Sequence, residues 1–347
     1  MKNINIPSSL VHVTDTEAGY KRLLKNGEKF IYQDEKGKRI RDKATLERIE
    51  KLVIPPMWED VWICKKHNGH LQATGRDVKG RKQYLYHAVW NEHINLEKFN
   101  GLLDFAQSLP KIRAKINRNL RKRAWVKEKV VALAIKVMDE LYLRIGNKRY
   151  MKENDTYGLT TLRKKHLKET SEGLTIKYMA KSGKLRKISV NHPTLKKHLK
   201  ACAELPGYEI FRYQEGEKYY PVESQDINEY LREISGKDIT AKSFRTWGGT
   251  VLTVELAPIA RKIVEENPRK KFETTLVSMV ADELNNTVSV CRKYYIHPVI
   301  LKAVVNGDTE RIKVSSSSKS AKWYRPEELV VLKILKTERN KSKRIPA

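Results

Sequence analysis

Apolar and polar residues alternate through the first eighty-odd positions, and a period of two predicts strands. Residues 28–33 set Phe30 and Tyr32 on one face and run into a turn at 34–37. Residues 61–64 and 69–74 repeat the pattern. A glycine-punctuated basic loop, 75–82, then leads into Gln83, Tyr84, Leu85 and Tyr86. From about residue 90 the period lengthens to that of a helix. Val126, Val130, Leu133, Val137 and Leu141 step by four, three, four and four, the stripe of an amphipathic helix. Gly146 reads as the residue just past that helix, which sets Arg144 near its last turn.

Alternation returns between 157 and 190, with Leu174, Ile176 and Tyr178 before residues 181–184 and Ile188 and Val190 after them. This predicts a β-hairpin with lysine at its tip, and residues 159–162 are the expected third strand. Helical patterning runs on through residue 305, with Ser224 and Thr240 as N-caps and a break at 265–268. Pro298 opens a helix at its first position, so Tyr294 and Tyr295 fall at the end of the helix before it. Residues 315–318 form a serine linker. A terminal helix of about a dozen residues follows Pro326, then a basic tail at 341–345. The expected fold class is α+β. A small mixed β/α module covers 1–89, a larger, mostly helical domain with a three-stranded antiparallel sheet covers 90–310, and a linker, helix and tail cover 311–347.

Composition narrows the partners. Of 347 residues, 40% are hydrophobic and 32% charged, so the core is thin beneath a charged surface. The formal net charge of +29 attracts polyanions. Nucleic acid is the first candidate, because Lys and Arg release its condensed counterions. An acidic membrane is not expected: there is no lipidation signature, apolar run of spanning length or signal-peptide core. Three widely spaced cysteines, Cys64, Cys202 and Cys291, point to reduced thiols in a cytoplasm. Cys64, His67 and His70 are spaced by three, but no fourth ligand of matching pattern follows, and no metal is expected. Residues 111–129 carry nine Lys or Arg against one acid, Glu128, a plausible nucleic-acid face. The 75–82 loop beside Gln83 and Tyr84 suits a surface that grips backbone and touches base edges.

Three cations and a tyrosine stand out from that field: Arg144, Lys181, Arg245 and Tyr295. Attack on a phosphodiester builds charge on the nonbridging oxygens and on the departing sugar oxygen. Arginine's planar fork suits the former, and a lysine ammonium suits the latter because it also gives up a proton. An ordinary tyrosine is only about one part in a thousand ionised at pH 7, and neighbouring guanidiniums favour the phenolate. No carboxylate cluster for Mg²⁺ and no Gly-rich nucleotide loop accompany the set, so neither metal nor nucleotide cofactor is expected. Taken singly, each residue is a weak signal.

Their ordered context is not weak. The chain resembles the type IB DNA topoisomerases, in particular the small bacterial enzymes similar to that of poxviruses. The resemblance runs through Ile54-Pro55-Pro56 with Trp58, the stretch 74–86, Arg144-Ile145-Gly146, the stretch 150–162, the Lys181 hairpin, Lys242 with Arg245-Thr246-Trp247-Gly248, and Tyr295 ahead of Ile296-His297-Pro298. It implies a C-shaped clamp on duplex DNA, with the larger domain catalytic and in the fold shared by type IB topoisomerases and tyrosine recombinases. Arg144 and Arg245 then bind the scissile phosphate, Lys181 is general acid to the 5′-hydroxyl, and Tyr295 is the nucleophile forming a 3′-phosphotyrosyl link. Tyr150, Lys242, Gln83, Tyr84 and Tyr86 match DNA-contacting positions. Nine residues before the tyrosine, viral and eukaryotic members place a histidine, and this chain has Asn286, whose amide donates a hydrogen bond but carries no charge. Tyr294 is a second phenol, but adjacent helical residues point about 100° apart, and Ile-His-Pro selects Tyr295.

The implied activity is relaxation of positive and negative supercoils without ATP or metal, by a monomeric, nucleoid-associated cytoplasmic enzyme. The nearest rival, a tyrosine recombinase, typically shows His-x-x-Arg where Lys242 stands here. A non-catalytic DNA-binding clamp is the other, and it has no use for a phenol at position 295.

Overall fold

The alternating segments of the amino-terminal module assemble into one five-stranded antiparallel sheet. The computed structural model describes residues 6–25, 29–171, 173–314 and 320–342, which group into two units, Met1–Phe99 and Asn100–Ala347. The first unit contains β1 (Gly19–Lys25), β2 (Lys29–Gln33), α1 (Lys43–Lys51), β3 (Glu59–Cys64), β4 (Leu71–Arg76) and β5 (Lys82–Tyr86), with strand order β2-β1-β3-β4-β5. Neither β1 nor α1 was legible in the period, since Leu23 and Leu24 of β1 both lie exposed. Ile49, Val61, Ile63 and Ala73 form its core. Arg22 of β1 donates to the carbonyls of Ile54, Pro55, Pro56 and Trp58, which fastens the Ile-Pro-Pro segment to the sheet.

Gly75 and Arg76 belong to β4, so the basic loop shrinks to residues 77–81. Asp77 organises it, accepting from the amides of Lys79 and Arg81 and from the Arg81 and Gln83 side chains. The Arg81 guanidinium holds the Asp77 carboxyl at about 2.

The helical period continues as α2 (Ala88–Leu120), α3 (Lys127–Leu141) and α4 (Lys148–Asn154). Next come β6 (Leu167–Thr170), β7 (Gly173–Met179), β8 (Leu185–Val190), α5 (Pro193–Ala203), β9 (Arg212–Glu215) and β10 (Lys218–Pro221). The chain closes with α6 (Ser224–Ser235), α7 (Ala241–Glu255), α8 (Ala257–Glu266), α9 (Phe272–Glu283), α10 (Val288–Tyr294), α11 (Pro298–Val305) and α12 (Pro326–Ser342). The α3 stripe is core as expected, with Val130, Leu133 and Val137 fully buried. Helix α7 is buried along most of its length from Phe244 to Thr253 and is the axis of the second unit.

Four local expectations are corrected. The sheet is β6-β7-β8, with residues 167–170 as third strand. Leu159–Thr161 is instead a 3₁₀ turn that caps its own start through Thr161 Oγ1. Helix α3 ends at Leu141 with Tyr142 in the left-handed region (φ 52°), so Arg144 lies beyond it in irregular chain. Gly146 (φ 91°) serves a close crossing: a Cβ on it would meet the Gly158 backbone at 3.0 Å. Ser224 follows the N-cap, which is Glu223. The basic run 111–129 is partly structural, because Lys129 is buried and donates to the carbonyls of Lys122 and Arg123, and Arg113 is paired inside the domain.

The serine linker at 315–318 lies outside the described residues, as do 343–345 of the tail. Helix α12 is longer than expected and is built into the second unit. Its Glu328, fully buried, accepts from Arg113, from Trp247 Nε1 at 2.8 Å and from the Arg325 amide. Arg113 also forks onto Asp139 of α3 at 2.8 and 2.9 Å. Burial alone would raise the Glu328 carboxyl, and the Arg113 guanidinium overrides it to hold the pKa at about 2. That contribution is present above the ordinary carboxylate value of 4.5 and is lost as pH falls toward 2. Glu328→Gln should therefore cost about 3 kcal/mol at pH 7, the low end for opening a buried pair. The deficit should shrink below pH 4, read by denaturant unfolding across pH.

Candidate active site

Two helix ends meet in the second unit. The C-terminus of α3 offers the carbonyls of Leu141 and Tyr142, and that of α9 offers Glu283 and Leu284. Such carbonyls lack intrahelical partners and carry the negative end of the helix dipole. Two guanidiniums bridge them, and a third binds the chain just past α9. Arg245 of α7, 4% exposed, donates to Tyr142 O and to Leu284 O, the latter at 2.7 Å. Arg186 of β8 donates to Leu141 O at 2.9 Å, Glu283 O at 3.1 Å and Tyr142 O at 3.4 Å. Arg144 donates to Asn285 O at 3.1 Å and Asn286 Oδ1 at 2.5 Å. Burial first, then the charge of Arg144, pull Arg245 down to about 10, so it stays protonated at neutral pH.

A guanidinium only donates, so the Asn286 atom facing Arg144 is its oxygen and Nδ2 is left over. That nitrogen is buried without a partner among the described residues, as are Arg144 Nη1, Arg245 Nε and Asn285 Nδ2. Of the eight buried side-chain nitrogens so stranded among the described residues, these four lie on residues that the Arg144 and Arg245 hydrogen bonds join at 284–286, and each stranded donor costs about 1–3 kcal/mol. All four are donors, so they suit an anion.

Tyr295 closes the site. It caps α10, its amide donating to Cys291 O at 2.9 Å. The Arg245 guanidinium carbon lies 5.2 Å from the centre of its ring. Tyr294 turns elsewhere, its ring under Lys293 at 5.4 Å. Two glycines of α7 make room. A Cβ on Gly248 would strike the Tyr142 ring at 2.3 Å, and one on Gly249 would meet Tyr295 O at 2.8 Å. Thr250 then clips the turn, its hydroxyl proton shared between Thr246 O at 2.9 Å and Tyr295 O at 3.3 Å and its oxygen accepting from the His297 amide at 3.1 Å. The segment bearing Arg144 is held by Leu159 and Thr160, whose amides donate to Arg144 O and Ile145 O.

The structure thus brings Arg144, Arg245, Asn286 and Tyr295 together. Lys181 stands apart, exposed on the tip between β7 and β8, where Ser182 (φ 66°) and Gly183 (φ 69°) make the turn. It makes no hydrogen bond or ion pair among the described residues. Arg186 and Asn285 went unread in the sequence; neither carries a local signal.

The DNA-contact candidates lie on both units. In the first, edge strand β5 stacks Tyr84 on Tyr86 at 6.0 Å with Lys82 over Tyr84, and Gln83 is tied to Asp77. In the second, Tyr150 of α4 is 52% exposed, and exposed Lys242 precedes Arg245 by three on α7, the spacing of one helix face.

Comparison with known proteins identifies the family. The family described as "Eukaryotic DNA topoisomerase I, catalytic core" matches residues 87–318, and "Bacterial DNA topoisomerase IB, N-terminal domain" matches residues 29–77. The DNA topoisomerase 1B of Acanthamoeba polyphaga mimivirus is 31% identical over 295 residues, covering 81% of this chain and 86% of the viral one. That of vaccinia virus (strain Copenhagen) is 23% identical over 269 residues, 76% of this chain and 83% of its own. DNA topoisomerase 1 of Mycosarcoma maydis is 22% identical over 282 residues, 74% of this chain but 27% of that longer protein. None of these names favours a recombinase or a silent clamp.

Proposed function

This chain belongs to the type IB DNA topoisomerases, and on that premise we propose that it relaxes duplex DNA through a transient 3′-phosphotyrosyl link at Tyr295. The observation that carries the reading is the set of four stranded donors on Arg144, Arg245, Asn285 and Asn286, with the Arg245 guanidinium 5.2 Å from the centre of the Tyr295 ring. A phosphodiester set there gives the donors acceptors, with its nonbridging oxygens against the guanidiniums. Donors fixed before the reaction stabilise the charge that develops on those oxygens. The Tyr295 Oη–P bond forms as the P–O5′ bond breaks. The phenol proton passes to solvent and Lys181 delivers one to the departing 5′ oxygen. One phosphodiester replaces another, so the bond energy is kept and the reverse attack reseals the strand without ATP.

The charge of +29 supports duplex DNA as the partner, and we propose that a single copy of the chain closes on it as a clamp. Tyr84, Tyr86 and Gln83 of β5, with Tyr150 and Lys242, supply contacts. Three free, buried cysteines suit a reducing cytoplasm, with the enzyme held on the nucleoid.

Relaxation of plasmids of either sign in EDTA without ATP is the test. Removal of both supercoil signs is expected, and an inert wild-type protein overturns the reading. Lys181→Ala should slow cleavage of ordinary DNA by about 10²–10⁴-fold, the range of a general acid. It should recover on a substrate with a 5′-thiolate leaving group, which departs unprotonated.

A further inference from the structure

Lys181 sits on an exposed tip, yet a general acid has to reach one oxygen within hydrogen-bond distance. Something must hold the tip to the phosphate site. The β7–β8 register pairs Tyr178 with Arg186 and Met179 with Leu185, so Arg186 lies one rung below the turn that carries Lys181. Its side chain leaves the sheet and is 7% exposed. It ends on Leu141 O, Tyr142 O and Glu283 O, and no carboxylate side chain takes part in those bonds. Tyr142 O is also the acceptor of Arg245 Nη1. One carbonyl thus joins the arginine at the anion nest to the strand that presents the lysine. The Arg186 bonds go to carbonyls rather than to a carboxylate, and the exposed Glu283 carboxylate acts on it only at a distance. The fork therefore satisfies helix-end carbonyls and at the same time sets register, fixing strand to helix ends at three points.

We propose that Arg186 is a positioning residue for the proton transfer: it sets the Lys181 hairpin in register with the phosphate held by Arg245. The inference rests on the reading of Lys181 as general acid. Its signature is a defect that disappears when the leaving group needs no proton.

The experiment compares single-turnover cleavage by wild type, Lys181→Ala, Arg186→Met and Arg186→Lys on ordinary and 5′-thiolate duplexes, with duplex binding measured alongside. Lysine keeps the charge but lacks the fork, and is the milder change. Both Arg186 variants should cleave ordinary DNA at least about tenfold more slowly, a part of the 10²–10⁴ attached to a general acid. On the thiolate they should return to within about threefold of wild type, as Lys181→Ala does. If Lys181→Ala recovers and the Arg186 variants stay slow on both substrates, or are never slow, the positioning role is overturned. If Lys181→Ala itself fails to recover, the acid assignment falls first and this inference with it.

Discussion

Tyr295→Phe should abolish plasmid relaxation and the covalent protein–DNA adduct, lowering cleavage by at least about 10⁴-fold, the scale on which loss of a nucleophile acts. The change removes one oxygen with its hydrogen bond to the Arg245 side chain, and leaves the ring near that guanidinium and the Thr250 clip on the main chain in place. Duplex binding and unfolding midpoint should therefore stay near wild type. Tyr294→Phe is the control, since that ring lies under Lys293 rather than Arg245, and it should keep its activity. An adduct that persists in Tyr295→Phe and vanishes in Tyr294→Phe would move the nucleophile by one residue.

Arg245→Ala should fail in two separable ways. Removing a fixed donor from the developing phosphate charge costs about 10²–10³ in the chemical step. The same side chain satisfies the carbonyl of Leu284 and shares that of Tyr142 with Arg186, and a buried acceptor left bare costs about 1–3 kcal/mol. The variant should be slow in single-turnover cleavage and should unfold at lower denaturant. Arg245→Lys separates the two, because one ammonium keeps the charge but cannot span two carbonyls on different helix ends. It should regain part of the rate and little of the stability. Full stability in Arg245→Ala would mean that the carbonyls find other partners and that the bridge is not structural.

The same double duty explains what could be read in advance. Lys242 and Arg245 share a helix face with the Gly248-Gly249 pair close behind, so that segment was recognisable as it stood. The hairpin of β7 and β8 was legible because both strands alternate around a lysine-glycine turn. Its third partner was misread, since Leu159–Leu162 is as apolar as a strand but spends its backbone holding Arg144. Gly146 reads as a helix stop because a glycine after a helical stripe usually is one. Here it makes room for Gly158, twelve residues on. The pattern sets helix α12 in a segment of its own, because Glu328 looks like any surface acid until Arg113 and Trp247 close over it.

By itself the sequence determined the periods, the order of arginine, lysine, arginine and tyrosine, and the charge that draws a polyanion. Each of these follows from neighbours within a few residues, or from a sum over the chain. Only the tertiary structure decided what those groups face. Arg245 meets Tyr142 across 103 positions, Arg144 meets Asn286 across 142, and Arg113 meets Glu328 across 215. No local period encodes such pairings. They are set where packing buries an acceptor, a helix-end carbonyl for Arg245, an amide oxygen for Arg144 and a carboxylate for Arg113, within reach of a guanidinium.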